Sequence, residues 1–417
     1  MNDLNYIYSK IKERFDCAEC DARFMLGVQR DINDAKTEIT LSQPGFIEST
    51  YKRFSQHMGA KVNPDCPVPP GLFLYNDPEN KREAESKKVM DNGYQSLTGA
   101  LLWASGRCFP ECASGVHHLC RQMCSPTEEG WKAGLHMLRY LFYRKDRGIK
   151  FRRTGNQTPV VYYDASNKPE PIKGKRQYGY VIMWMGGPVI WGSRKHRLMS
   201  TSSAASEYMA LGETSREVRW FRGLLEDMGF ADVVSQPTEV LGDNRAAIIL
   251  SREDLVTPGN RHVLDDYHLS KELIERFEIN TDYINTKNNI SDLLTKSVSK
   301  TEMDALSNLL TGNTDQPLPG ADPSGFDKVQ RPDVQITANQ ASQLEGVSCK
   351  EIEIQEASKV LGSSEWIQRT VDGIVKSSTA AARIPGWKKT QLIGSIVINC
   401  INKETGPQGM APVRLAS

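Results

Sequence analysis

The sequence predicts an α/β fold centred on a mixed five-stranded sheet flanked by helices, over residues 156–311. Three observations carry this. Residues 159–164, 178–184 and 189–191 are short β-rich runs whose intervals fit one antiparallel meander. A long helical stretch follows over about 202–228, and beyond it strands and helices alternate. Three antiparallel strands followed by βαβα give one mixed sheet with helices on its faces. A mostly helical region precedes this block; a linker and an unassigned segment follow it.

Along the chain, residues 1–60 carry mixed signals: a helical 7–15, an apolar 24–27, a turn at Asn33 and Asp34, and an extended 38–41. Between 43 and 58, Phe46, Ile47, Tyr51, Phe54 and Met58 recur at helical spacing. Residues 63–78 hold five prolines and Gly71, and so form a loop. The charge run at 81–88 reads as a solvated loop or helix face. Helical texture returns at 94–124 and at 127–143, where Trp131, Leu135, Leu138, Leu141 and Phe142 make one apolar face. Left exposed, that face would favour aggregation or a partner.

In the central block, Met209, Val218, Phe221 and Leu225 space the long helix, and Gly229 suits its C-terminal cap. Residues 238–241 are a fourth strand, 244–250 a helix, 262–277 another, and 282–284 a fifth strand, after which 290–296 opens a last helix. Trp184 and Trp191 lie on strands as core residues. From 312 to 333 the composition turns to Pro, Gly, Asp and Gln, which marks a linker. Residues 334–417 carry weak helical signals at 352–361 and 366–375, one strand-like run at 392–401, and a tail from Asn402 expected to be disordered.

The chain has 417 residues, enough for about two to four domains. With 52 Lys+Arg against 51 Asp+Glu, its net charge of +1 identifies no partner, so the placement of the bases matters. No run of about 18 apolar residues is present to span a membrane. The charged start MNDLNYIYSKIKERFD lacks the apolar stretch of a signal peptide. Nine cysteines are too few for a disulfide scaffold, and reduced thiols in the cytosol or nucleus are expected.

Four acids stand out by position. Asp164 ends the first strand of the block, Glu207 lies in the first turns of the long helix, Asp243 ends the fourth strand, and Asp292 follows the fifth. In an open sheet, strand ends and adjoining helix starts converge on one crevice. Carboxylates gathered there repel one another, and a divalent ion relieves the repulsion. Mg²⁺ prefers carboxylate and water oxygens and binds phosphate well. Two such ions about 3.5–4 Å apart activate a water and stabilise the leaving oxygen of a phosphodiester. Taken singly, each of the four reads more readily as a cap at a strand end or helix start than as a ligand.

The block resembles the ribonuclease H domain of copia-type retrotransposon polyproteins. The matching residues are YYDAS (162–166), GYVIMWMGGPVIWGSRK (179–195), SSAASEYMAL (202–211), GDNRAAI (242–248), RHVLDDYHLSKE (261–272) and YINTKNNISDLLTK (283–296), in the family's order and spacing. The resemblance implies a ribonuclease H-like sheet. It also implies that Asp164, Glu207, Asp243 and Asp292 bind two Mg²⁺ or Mn²⁺ ions and cut the RNA of RNA–DNA hybrids. Asn244 is expected to help orient the hybrid backbone. The sequence departs from the family at Ala205, where a second acid usually stands, and at ASNKPEP after Asp164; no His lies within 285–290. His262 and His268 on the preceding helix read as structural or phosphate-facing.

Upstream, FMLGVQRDI (24–32), TLSQPGFIESTYKRF (40–54), YQSLTGALLWASGR (94–107) and SPTEEGWKAGLHMLRYLFYRKDRGIKF (125–151) resemble the stretch after the polymerase active site of copia-type reverse transcriptases. The implied division is an end of the palm at 1–60, a thumb or connection region at 61–155, a ribonuclease H domain at 156–311, a linker at 312–333 and an unassigned 334–417. The family's Tyr-x-Asp-Asp hairpin lies N-terminal to this stretch, and the chain holds no such motif; Asp265 and Asp266 do not substitute. The missing polymerase portion is the expected protein partner, and no membrane is implied.

Basic residues cluster at 139–153, at Lys173, Lys175 and Arg176, and at Arg194, Lys195, His196 and Arg197. Such clusters serve solubility or neutralise phosphates without reading sequence. Beside the carboxylates, Arg194, Lys195 and Arg197 are expected to track the nucleic-acid backbone. Cys108, Cys112, Cys120 and Cys124 with His117 and His118 lack the tight knuckles of a structural zinc site and read as buried thiols; Cys17 and Cys20 form a lone CxxC. Two functional readings follow: a Mg²⁺-dependent ribonuclease H, favoured by four intact acids, or an inert remnant that at most binds nucleic acid. Residues 334–417 are also compatible with an unrelated fused segment.

Overall fold

The computed structural model describes residues 2–322 except 16–20, 22, 60–61, 70, 76–81, 154–157, 172–173, 201 and 253–268. The expectations for Cys17, Cys20, His262, His268, Asp265, Asp266, Lys173 and everything from residue 323 onward lie outside the described residues. Among the described residues, no helix is long and apolar enough to cross a membrane.

After helix α1 (Asn2–Lys12), strands β1 (Phe24–Met25), β2 (Val28–Ile32) and β3 (Glu38–Ser42) form a meander. Strand β4 (Ile149–Arg152), more than a hundred residues later, completes this sheet by pairing antiparallel with β3, Thr40 opposite Lys150. Local spacing does not reveal such a pairing, so residues 149–152 read as the end of a helical region, whereas they join the first segment to the second. Between β3 and β4 lie helices α2 (Pro44–Arg53), α3 (Glu83–Asp91), α4 (Tyr94–Ser105), α5 (Ala113–Arg121) and α6 (Glu128–Tyr143). The Thr127 hydroxyl caps α6 by accepting from the Gly130 N–H at 3.1 Å. The apolar face of α6 is covered within the chain: Trp131, Leu135, Leu138 and Leu141 are buried, and Phe142 stacks on Tyr51 at 3.9 Å. Exposure of this face is therefore not a feature of the molecule.

The central sheet comprises β5 (Val160–Ala165), β6 (Gln177–Trp184), β7 (Gly187–Lys195), β8 (Thr238–Gly242) and β9 (Ile279–Tyr283), in the order β7-β6-β5-β8-β9. The first three strands are antiparallel; β8 runs parallel to β5, and β9 parallel to β8. This is the ribonuclease H-like mixed sheet that the sequence implies. Its central strands are covered on both faces, which explains the continuous apolar run of β6. Val161, Tyr163, Tyr180, Ile182 and Trp184 belong to one core cluster, which includes helix α7 (Ser203–Asp227). Tyr162, Val181 and Met183 belong to the other, with Leu293, Leu294 and helix α9 (Lys300–Leu310). Trp184 meets Phe221 edge-on at 5.9 Å, as a core residue.

Two elements differ from their sequence readings. Residues 290–296 do not open an α-helix; Ile290–Leu294 is a 3-10 turn, and α9 starts only at Lys300 behind a Ser299–Glu302 capping box. Residues 312–322, the start of the expected linker, follow Thr311 along strands of both sheets. The Lys150 N–H donates to the Thr311 carbonyl at 2.9 Å, the Arg152 guanidinium donates to the Gly312 and Thr314 carbonyls at 2.7 Å, and the Asp322 N–H donates to the Tyr283 carbonyl at 2.8 Å.

Candidate metal centre

Because β5 and β8 are parallel neighbours, with Tyr162 beside Leu241, their C-terminal ends place Asp164 and Asp243 side by side. Helix α7 begins at Ser203, its N-cap Ser202 accepting from the Ala205 N–H at 3.1 Å, and carries Glu207 in its first turns. The 3-10 turn after β9 supplies Asp292. One carboxylate oxygen from each of Asp164, Asp243 and Asp292 lies within 4.8 Å of the others. Glu207 is close enough to raise the cost of charging through Asp164 and Asp243. Asp164, Glu207 and Asp292 are buried.

Two close approaches make this possible. Gly179 stands opposite Asp164 on β6, and a Cβ there would lie 2.5 Å from the Leu294 Cβ, so only glycine lets the Asp292 turn cross the sheet. Gly242 precedes Asp243, and a Cβ there would lie 2.3 Å from the Tyr163 ring. The turn is pinned by Asn289, which is fully buried. Its amide donates to the Tyr163 carbonyl at 3.0 Å while its oxygen accepts from the Ser291 N–H at 3.2 Å and the Ser291 hydroxyl at 2.6 Å. Asn289→Ala leaves the Tyr163 carbonyl and Ser291 unpartnered. It is expected to cost about 1–3 kcal/mol, read as a lower thermal midpoint in a melt.

The electrostatics are those of crowded acids. Burial, then the Asp164 and Asp243 charges, push Glu207 well above the ordinary carboxylate range. Burial, then Asp164, push Asp292 up to about 7. Asp164 is also raised by burial and by Asp243, against the pull of Lys296 and a hydrogen bond from the Thr295 hydroxyl. Glu207 Oε2 and Asp292 Oδ1 are buried without a hydrogen-bond partner. Hard oxygen donors at this spacing, two of them unpartnered, fit a divalent cation better than any protein group beside them. The residues that would hold it are Asp164, Asp243 and Asp292, with Glu207 alongside. Asp164, Glu207 and Asp243 line a cavity of about 450 Å³ that Lys296, Ser203 and the Cys66–Val68 loop also line.

The four acids are thus brought together and Asn244 lies beside them, whereas Arg194, Lys195 and Arg197 do not line the cavity. Asn244 lines the cavity, but its side-chain oxygen accepts from the Ala247 N–H at 3.1 Å as the cap of helix α8 (Arg245–Arg252). Arg194 donates to the Tyr180 hydroxyl at 3.1 Å and pairs with Glu217 at 3.6 Å, on the α7 side of the sheet. Lys195 is ion-paired to Glu170, and Arg197 is exposed with its carbonyl accepting from Lys175. The 139–153 bases are likewise engaged internally: Arg144 donates to the Pro64 carbonyl at 2.9 Å, Lys145 pairs with Glu48 at 2.8 Å, and Lys150 and Arg152 pair with Glu38 at 3.0 and 2.9 Å. A charge count does not show such partners. Sequence reasoning also missed Asn289, Thr295 and Lys296. The Asn-x-Ser pattern before Asp292 signals an Asx cap, but nothing local signals that Lys296 faces the cluster.

No family model matches the chain. It is 24% identical over 298 residues to the retrovirus-related Pol polyprotein from transposon RE2 of Arabidopsis thaliana, covering 71% of this chain and 20% of that protein. It is 25% identical over 291 residues to that from transposon TNT 1-94 of Nicotiana tabacum, covering 69% and 21%. The secreted RxLR effector protein 161 of Plasmopara viticola is 33% identical over 127 residues, which are 30% of this chain and 89% of that one. Among solved structures, the N-terminal RNase H domain of rv2228c from Mycobacterium tuberculosis is 17% identical, covering 36% of this chain and 97% of that chain with a TM-score of 0.23. LC11-RNase H1, isolated from compost, is 18% identical, covering 33% and 93% with a TM-score of 0.27. The chain spans about a fifth of the length of the curated Pol relatives it matches first. Over about 70% of its length the chain is thus similar to retrovirus-related Pol polyproteins of plant transposons.

Proposed function

We propose that the chain hydrolyses the RNA strand of RNA–DNA hybrids at the Asp164, Glu207, Asp243 and Asp292 cluster, with Mg²⁺ or Mn²⁺ bound there. The observation that carries this is the convergence of Asp164, Asp243 and Asp292 within 4.8 Å, beside a Glu207 oxygen that has no partner. Bound divalent ions supply a water of lowered pKa and a counter-charge for the leaving oxygen. The chain's own residues do the rest. The ends of β5 and β8 fix Asp164 and Asp243, α7 fixes Glu207, and the Asn289-pinned turn fixes Asp292. The Thr295 hydroxyl donates to Asp164 and keeps that carboxylate oriented. Arg197 is exposed at the end of β7 and is proposed to meet the backbone of the substrate electrostatically.

Recognition of a hybrid rests on its minor-groove shape and its 2′-hydroxyls. The test offers the full chain hybrids labelled on either strand, and a DNA duplex of the same sequence, in Mg²⁺. Cleavage is expected in the RNA strand of the hybrid and not in either DNA. Equal cutting of both strands would instead make the site an unselective nuclease. The polymerase portion of the polyprotein is proposed as the partner that presents the substrate.

A further inference from the structure

We propose that the Lys296 ammonium is a resident counter-ion of the carboxylate cluster, which a divalent cation must displace from Asp292 when it binds. This rests on reading the cluster as a metal centre. Lys296 Nζ lies 2.9 Å from Asp292 Oδ2, four residues further along the chain. Backbone hydrogen bonds hold it there: the Lys296 and Thr295 N–H groups both donate to the Asp292 carbonyl, at 3.1 and 3.2 Å. The Thr295 hydroxyl, from the same turn, donates to Asp164. One short turn thus sets an ammonium and a hydroxyl against two of the acids. Burial works against the charge on Lys296, yet Asp164, Asp292 and Asp243 together hold its pKa above the ordinary lysine value.

One ammonium cannot satisfy the cluster. Asp292 Oδ1 and Glu207 Oε2 stay unpartnered with Lys296 in place. A divalent ion would bring twice the charge and offer those oxygens a partner, and it would repel the ammonium at this range. The Lys296 side chain is 42% exposed, on a flexible four-carbon stem, so it can leave towards solvent. Lys296 therefore has two opposed effects. It steadies the metal-free cluster, and it competes with the ion.

The test uses the full chain as wild type, Lys296→Met and Lys296→Arg, measuring thermal midpoint in EDTA and Mn²⁺ affinity by electron paramagnetic resonance. Lys296→Met is expected to melt lower in EDTA yet bind Mn²⁺ about tenfold tighter, while Lys296→Arg stays close to wild type in both. Mn²⁺ affinity unchanged or weakened in Lys296→Met would overturn the counter-ion role and leave the metal centre standing. Absence of Mn²⁺ binding in folded wild type would overturn the metal centre itself. A second measurement needs no variant: acetylation of Lys296 in wild type, followed by mass spectrometry, is expected to run about fivefold faster in Mg²⁺ than in EDTA. Equal labelling in the two conditions would overturn displacement.

Discussion

Asp243→Asn is expected to reduce hybrid cleavage by about a thousandfold or more, and to remove most of the thermal stabilisation that Mg²⁺ gives the wild type. The amide keeps the volume of the carboxylate and removes its charge. It also turns one acceptor into a donor, which a cation repels. Asp243 directly follows β8, and its neighbours Asp164 and Asp292 each lie within 4.8 Å through one oxygen. Two remaining close acids, with Glu207 behind them, do not recreate the missing ligand. The fold is expected to survive, because Asp243 is only half-buried and α8 is capped by Asn244. Circular dichroism and a melt in EDTA, beside the cleavage assay and a melt in Mg²⁺, separate loss of the ligand from loss of the fold.

The metal-free protein is expected to lose stability as pH rises from about 4 to about 7, by about 2–4 kcal/mol. Asp292 contributes directly: burial and the neighbouring Asp164 lift it from an ordinary 3.8 to about 7. At low pH the folded and unfolded chains both hold the proton, and no difference arises. Between the two values the unfolded chain has ionised while the folded chain keeps its proton, so each step up in pH favours unfolding. Above about 7 Asp292 is ionised in both states and its own contribution levels off. Asp164 and Glu207 are raised by the same physics and add in the same direction. Asp292→Asn is expected to make the slope in EDTA shallower. Saturating Mg²⁺ is expected to reverse it in wild type, because the ion binds the ionised folded form. Melts across this pH range, with and without chelator, check each part.

The central sheet was legible because its strands are short, β-rich and spaced by turns, and because parallel strands with helices between them constrain the topology closely. The positions of Asp164, Asp243 and Asp292 followed from that topology, since strand ends on one side of a sheet share a crevice. What local pattern does not encode is contact at long range. The pairing of Thr40 with Lys150, the approach of Leu294 over Gly179, and the course of 312–322 all depend on where distant segments land. The bases of 139–153 form a dense run in sequence, yet in the fold they meet carbonyls and acids of the same chain. Lys296 is the converse. It is one lysine among many in the sequence, and only the turn of 292–296 sets it against the acids.

The rate at which the full chain cuts the RNA strand of a labelled RNA–DNA hybrid in Mg²⁺, beside the same reaction in EDTA, tests the central claim most directly. Cleavage in Mg²⁺ that stops in EDTA and is lost in Asp243→Asn is the expected result. Folded protein that binds the hybrid and leaves it intact in both Mg²⁺ and Mn²⁺ would contradict it, and would make the four acids the relics of an inert nucleic-acid-binding module.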